Sequence, residues 1–491
     1  MTTDTPLLST LLLLPVLGAA VLGTLPKGRI QLVRWTAITF ASLTLLLACG
    51  LLLGFDAQAP GLQWFERYSW NPLVGSAVAL GLDGFSLPLV LLTSILALVA
   101  LLASRGIREG AKGYYALMLI LEAATLGVFM AQDWSIFYVF WELVLIPLFF
   151  LINRWGGRNR QGAALNFVLY TMGGSVFLLV ALLVAFDAVG LHSFAMADLA
   201  AGGPRLDEET QILIFLGLLI GFGVKMPVFP LHGWLPLAHV EAPSPVSILL
   251  SGILLKMGSY GLIRAAQMLP QAVIALQTLL AVLAMVSLLY GGLLAWRQTD
   301  LKAMVAYSSV SHMGVVLLGI AALNVAGLTG ALMQMVAHGL VAGALFLLIG
   351  LLYDRTHTRE IGHYSSLVRV MPRFAFFTIL AFVAAVGLPG TAGFIAELHA
   401  LIGGYQVWGG WVAVLSLGML ISAAYAIRTV GRLFTGPVRA EMAGVPDLRP
   451  TEFIAAGLLT TAVLLLGFFP TALLQLLGAS VARFGALFGA V

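Results

Sequence analysis

The stretch GFGVKMPVFPLHGWLP, from Gly221 to Pro236, sets a lysine, a histidine and three prolines into an otherwise apolar segment. Pro227, Pro230 and Pro236 follow Lys225 too closely for an unbroken helix. Proline removes a backbone donor, and its ring clashes with the preceding turn. A second stretch of this kind, VGLPGTAGFIAE from Val386 to Glu397, is interrupted at Gly387, Pro389 and Gly390 and ends on a carboxylate. In lipid, a broken helix is tolerated only where protein or a water-lined cavity surrounds the break. The two stretches therefore predict discontinuous helices inside a membrane-embedded bundle.

Composition agrees. Of 491 residues, 60% are hydrophobic and 9% charged, against roughly 25% charged in ordinary globular proteins. So few charges cannot cover a water-soluble surface, and disorder, collagen, coiled coil and nucleic-acid binding fail on the same ground. The single cysteine, Cys49 in an apolar run, excludes an internal disulfide, a cysteine-based zinc site and an iron–sulfur cluster held by this chain alone. No glycine fingerprint for a nucleotide is present. The histidines lack zinc-ligand spacing, so no metal site is expected.

About 20 apolar residues are needed per crossing. That requirement gives about 14 transmembrane helices, from Leu7–Leu25 to Phe453–Leu477, in an all-α membrane protein. The first run carries Asp4 and no basic residue ahead of it, so it reads as a retained span rather than a signal peptide. Among the lysines and arginines, all but Arg67, Arg205, Arg264, Arg483, Lys225 and Lys256 fall in the odd-numbered connections. Basic loops stay in the cytoplasm. The expectation is a multi-pass protein of a bacterial-type inner membrane with both termini outside.

A charge in the bilayer core is costly and usually marks an ion path. The spans hold Glu122, Glu142, Lys225, Lys256, His312, His338, Glu397 and His399, with Asp187 near an end; the first three spans and the last hold none. The two broken helices are the seventh and twelfth. Five is odd, so a five-helix repeat re-enters from the opposite face, and paired broken helices point to a transport site. The expected organisation of this single polytopic domain is scaffold helices over 1–113, a first repeat over 114–265, an inverted second repeat over 273–434, and a C-terminal helix over 450–491.

Glu142 and Lys225 form an acid and base on spans of one repeat. Burial disfavours the charged form of each and their attraction favours it, so the pair can switch between ionised and neutral states. Lys256 lies too deep to reach an interface. His312 and His338 suit a relay, because histidine titrates closest to neutrality. Ser308, Ser309 and Ser311 could hold waters beside them. Glu122 could belong to an entry path or cap a loop. His232, His239 and Glu241 follow the broken seventh helix and are expected to organise the cytoplasmic entrance or lock the loop. Glu397 is either an exit relay or a cap on its half-helix, where an anion is favoured.

The segments FYVFWELVLIP (Phe137 to Pro147), KMPVFPLHGWLPLAHVEAPSPVS (Lys225 to Ser247), ILLKMGSYGLIR (Ile253 to Arg264), DLKAMVAYSSVSHMG (Asp300 to Gly314) and GLPGTAGFIAE (Gly387 to Glu397) resemble the M-subunit family of respiratory NADH:quinone oxidoreductase (complex I), the counterpart of mitochondrial subunit 4. They resemble, more distantly, the large subunits of multisubunit sodium/proton antiporters. The resemblance implies an antiporter-like, proton-translocating module. Glu142, Lys225, Lys256, His312, His338 and Glu397 would carry the protons. No cofactor is expected on this chain; flavin, iron–sulfur clusters and quinone would sit on partner subunits. The expected partners are other membrane-arm subunits, including sister antiporter-like subunits, and the lipid bilayer, with no nucleic acid. A sodium/proton antiporter subunit and the membrane subunit of a related ferredoxin-dependent complex are the alternatives. Glutamate at 397 is the M-subunit pattern; a lysine commonly stands there in the others.

The charge alternation makes a topological prediction. In a Cys49→Ser background, single cysteines at Arg158 and Arg205 are expected to react with an impermeant thiol reagent from opposite faces of the membrane. Labelling of both from one face overturns the alternation.

Overall fold

A computed structural model describes residues 6–26, 28–59 and 61–489; Asp4 lies outside them. Two apolar helices, α1 (Leu7–Thr24) and α2 (Ile30–Leu53), lead into a hairpin of β1 (Gln63–Asn71) and β2 (Ser76–Leu82). Next come α3 (Ser86–Ala103), α4 (Ala111–Met130), α5 (Trp134–Leu143), α6 (Leu145–Trp155) and α7 (Arg160–Val189). After the short α8 (Met196–Gly202), α9 (Glu208–Lys225) and α10 (Trp234–Glu241) flank the first break. Helices α11 (Ser244–Leu249) and α12 (Leu255–Met268) are joined by a π-helical turn over Leu250–Leu254, and α13 (Pro270–Ala275) follows. The second half holds α14 (Gln277–Arg297), α15 (Leu301–Ala321), α16 (Val325–Thr356), α17 (Leu367–Val370), α18 (Pro372–Ala385), α19 (Ala392–Trp408) and α20 (Ser416–Phe434). The chain closes with α21 (Pro450–Phe468) and α22 (Thr471–Ala486).

Twelve helical stretches among the described residues are long and apolar enough to cross a membrane. Charged residues at both ends of α9, and the 14-residue length of α18, keep these two outside that set. Helices α19 and α20 run on as one stretch through a 3₁₀ segment, Gly409–Leu415.

Both expected breaks are present. The chain leaves the helix at Met226 and resumes at Trp234, and the Trp234 indole donates to the Val224 carbonyl at 2.8 Å. A carbonyl freed in an apolar interior needs such a donor. In the second half the break runs from Val386 to Thr391, with Gly387 and Gly390 both at positive φ. A third interruption, at Val144 between α5 and α6, precedes Pro147 by three residues. Pro147 cannot donate to Leu143, one turn back, so the helix loosens there.

The hairpin departs from the all-α expectation. Glu66 on β1 accepts from the amides of Leu8 at 2.7 Å and Ser9 at 3.0 Å, which caps α1. Asp133 caps α5 and accepts from Ala77 of β2 at 3.1 Å. The hairpin thus ties two helix N-termini that would otherwise carry unpaired donors. The expected last span, Phe453–Leu477, is also divided: α21 stops at Phe468, and Pro470 precedes a separate α22.

Glycines set the closest crossings. A Cβ on Gly258 would stand 2.5 Å from the Phe222 carbonyl oxygen, so α12 lies directly on the end of α9. A Cβ on Gly339 would stand 2.7 Å from the Gly252 oxygen, which brings α16 onto the π-turn. Gly258→Val is expected to force these backbones apart, at a cost of about 1–3 kcal/mol. Recovery of the chain in its native assembly should fall and its thermal release should shift to lower temperature. Unchanged recovery and melting would show that this crossing is not tight.

Candidate functional site

The π-turn explains why a lysine is held mid-bundle. One extra residue in the turn displaces the ordinary helical bond, and the Ser251 carbonyl accepts from Lys256 Nζ at 2.7 Å, five residues on. The same ammonium lies 2.7 Å from His338 Nδ1 on α16. Both side chains are buried. A single hydrogen bond therefore links the base of one helix to the imidazole of another, at a distance suited to proton transfer.

From His338 the line continues. The His312 ring on α15 lies with its centroid 5.4 Å from that of His338. His312 Nδ1 is 3.5 Å from Glu397 Oε1 and 3.3 Å from Gln334 Nε2. A cavity of about 10 Å³ touches His312, Gln334, His338 and Glu397, close to the volume that one water centre occupies. Gly387 makes room for the carboxylate: it sits at φ +73°, and a Cβ there would stand 2.7 Å from Glu397 Oε2. Glu397 is the sixth residue of α19, and its carboxylate oxygens face His312 and Gly387. The half-helix has no side-chain cap. The capping alternative is not the geometry found.

Lys225 and Glu142 form a second group. Lys225 Nζ donates to the Trp141 carbonyl at 3.0 Å and lies 3.8 Å from the centroid of the Trp141 ring. A buried ammonium over an indole face is stabilised by the ring quadrupole. Glu142 acts on Lys225 electrostatically, but no ion pair within 4.0 Å joins them among the described residues. Its Oε1 is buried and unpartnered, and the residue borders an outward-facing apolar groove of about 630 Å³ with Phe149 and Phe150. The acid and base thus act on each other at longer range than an ion pair, while the Trp141 carbonyl and ring hold the ammonium.

Glu122 stands apart. It is buried in α4, neither carboxylate oxygen is hydrogen-bonded among the described residues, and it joins neither group. The hydroxyls of the serines before His312 find partners within the protein. Ser308 and Ser309 donate to Val305 O, Ser309 also meets Ser251 Oγ at 3.0 Å, and Ser311 donates to Leu288 O.

Two residues extend the line beyond what the sequence indicated. Lys302, counted among the loop charges, is buried in the first turn of α15 and donates to Ala242 O at 2.7 Å. It borders a cavity of about 400 Å³ with Glu241, Asp354 and Arg359. His239 stacks on Phe346 with centroids 4.5 Å apart, has no hydrogen-bond partner on either ring nitrogen among the described residues, and lies within electrostatic reach of both Lys302 and Lys256. Glu241 meanwhile locks the neighbouring loop by accepting from Asn159 N at 2.8 Å. Gln334 is the other residue missed. Its place four residues before His338, on the same helix face, was the available signal.

Arg264, counted with a loop, is likewise inside the protein and pairs with Asp83 at 2.7 Å. No group of three or more His, Cys, Asp or Glu side chains gathers as a metal site among the described residues.

Comparison with known proteins places this geometry among relatives. Residues 131–422 match the family model described as NADH:quinone oxidoreductase/Mrp antiporter, TM. The chain is 41% identical to "NADH-quinone oxidoreductase subunit M" of Rhodobacter capsulatus, covering 97% of this chain and 96% of that one. It is 42% identical to "NAD(P)H-quinone oxidoreductase chain 4 1" of Synechococcus elongatus, over 95% of this chain and 89% of the relative. A chain of the respiratory complex I of Thermus thermophilus with bound NADH superposes with a TM-score of 0.90 at 36% identity, covering 98% of this chain and all of that one.

Proposed function

The chain belongs to the NADH:quinone oxidoreductase/Mrp antiporter membrane family, and from that premise we propose that it is an antiporter-like, proton-translocating subunit of NADH-quinone oxidoreductase. The observation that carries this reading is the series of neighbouring side chains Lys256, His338, His312 and Glu397 across four helices. Each member can bind and release a proton, and each is buried. The family description also covers sodium/proton antiporters, but identity along nearly the full length to quinone oxidoreductase subunits favours the former.

The chain crosses the inner membrane of a bacterium fourteen times with both termini outside, in the orientation its basic loops favour. Residues 114–265 and 273–434 act as two inverted repeats, each with one broken helix, between scaffold helices over 1–113 and the C-terminal segment over 450–491. Flavin, iron–sulfur clusters and quinone belong to partner subunits, and sister antiporter-like subunits lie alongside in the membrane arm.

A proton enters through the cavity bordered by Lys302 and Glu241, passes His239, and reaches Lys256. Transfer to His338 Nδ1 runs along the 2.7 Å contact. The water-sized cavity bridges the two imidazoles to Glu397, which holds the proton as a neutral acid before release to the far side. The Glu142 carboxylate and Lys225 gate the step. When Glu142 is ionised it holds the Lys225 charge; when a partner charge neutralises or withdraws it, the positive charge of Lys225 repels a proton on Lys256. Moving one charge against a potential costs about 2.3 kcal/mol per 100 mV. Each tenfold change in a buried group's proton affinity supplies about 1.4 kcal/mol.

Glu397→Gln preserves shape but cannot carry a proton. The variant is expected to assemble and to lose proton pumping by about 100-fold, measured as acidification of inverted membrane vesicles, while Glu397→Asp keeps part of it. Full pumping by the Gln variant, or sodium-dependent antiport by the unaltered complex, removes Glu397 as the exit. Glu142→Gln and Lys225→Ala are each expected to reduce pumping strongly in assembled complexes and to slow quinone reduction with it. Near-normal pumping by Glu142→Gln would exclude the gate and leave the relay standing.

A further inference from the structure

A cavity of about 1450 Å³ lies where α2 and α21 begin and α3 and α16 end, and adjoins the Lys302 cavity through Tyr353 and Asp354. Five arginines border it: Arg29, Arg105, Arg108, Arg355 and Arg449. The acids there are Glu452, which Arg355 neutralises at 2.5 Å, and Asp354. Arg29, Arg105 and Arg108 are exposed and have no acid within ion-pair distance among the described residues. Behind them, buried Arg34 donates to Leu102 O at 3.2 Å and leaves its Nε unpartnered. So many unpaired positive charges around one hollow repel each other unless an anion fills it.

The surroundings say which anion. Leu32 on α2 borders the cavity at 42% exposure, and the helices carry further exposed apolar side chains just beyond the lining: Trp35 on α2 at 52%, and Phe453 and Ile454 on α21 at 43% and 62%. Trp35 also stacks near Arg34, whose guanidinium carbon is 5.7 Å from the ring centroid. Tryptophan beside arginine at a helix end marks headgroup depth in a bilayer. Free phosphate would satisfy the charges and leave that apolar surface bare. A phospholipid satisfies both. The opening turn of α2, which has no side-chain cap, adds partial positive charge to the same hollow.

We propose that this cavity binds the phosphate headgroup of an anionic phospholipid, with its acyl chains laid along Leu32, Trp35, Phe453 and Ile454. Arg29, Arg105 and Arg108 hold the phosphate, and the lipid screens mutual repulsion that would otherwise loosen α2 and α21 from α3 and α16. The site adjoins the proposed proton entrance at Asp354, but none of Lys256, His338, His312 and Glu397 borders it.

The test uses the complex purified in detergent, with bound lipids identified by native mass spectrometry and titrated back as mixed micelles of anionic or zwitterionic phospholipid. Removing a basic side chain near a headgroup costs about fivefold in affinity, so R29Q/R105Q/R108Q is expected to bind anionic lipid on the order of 100-fold more weakly. Zwitterionic lipid should be unaffected. Should the triple variant fail to assemble, Arg108→Gln alone, on the exposed loop, is expected to show the fivefold loss. Equal anionic-lipid retention by the unaltered and variant complexes overturns the proposal. Displacement of the lipid by inorganic phosphate, but not by chloride at the same ionic strength, would assign the cavity to free phosphate and overturn the lipid. Protection of the three arginines by a neighbouring subunit, with no lipid retained, also overturns it.

Discussion

An ammonium in the middle of a lipid-embedded bundle must find all of its partners in protein, because hydrocarbon offers none. Lys256 meets that demand in two ways that shape what surrounds it. The π-turn surrenders the Ser251 carbonyl, and α16 comes close enough, over Gly252 and Gly339, to offer His338 Nδ1. The helix irregularity, the glycine crossing and the imidazole are thus one solution to a single electrostatic problem. The same arrangement is a proton relay, since the partner that stabilises the ammonium is also a base.

The two broken helices serve this centre differently. At the first, the chain leaves α9 just after Lys225, and the ammonium turns to the Trp141 carbonyl and ring. At the second, the positive φ of Gly387 clears space for Glu397 beside His312. The first break delivers a cation and the second an acid. Helical order elsewhere keeps these positions fixed. Asp133, Asp300 and Asn324 cap the helices that carry Trp141, His312 and His338.

Polar residues near the helix ends do a different task. Glu66 and Asp133 tie the hairpin to α1 and α5, and Asp83 both accepts from the opening amides of α3 and pairs with Arg264. These contacts join the first helices to the body of the bundle. On the other face, charge is left unbalanced around the arginine-lined hollow, where the protein alone does not complete the pairing.

Much was legible in the sequence because the bilayer imposes simple rules. Apolar runs of fixed length, basic loops of alternating parity, and prolines inside apolar runs are one-dimensional signals, and they reported the helices and both breaks. The rarity of charge in those runs also singled out Lys225, Lys256, His312, His338 and Glu397. What the sequence could not express is which of these touch. Lys256 and His338 are 82 positions apart, and only the crossing of α16 over the π-turn makes them a pair. Glu142 and Lys225 stood out as an acid and a base, but nothing local showed that the Trp141 carbonyl and ring would hold the ammonium. Lys302 and Arg264, which by position looked like loop charges, lie inside because a helix end can be buried by neighbours that no local pattern reveals. The hairpin escaped notice for a related reason: its strands earn their stability from Leu8, Ser9 and Asp133, residues remote in sequence. The bilayer wrote the helices into the sequence; three-dimensional packing chose the contacts that turn those helices into a path.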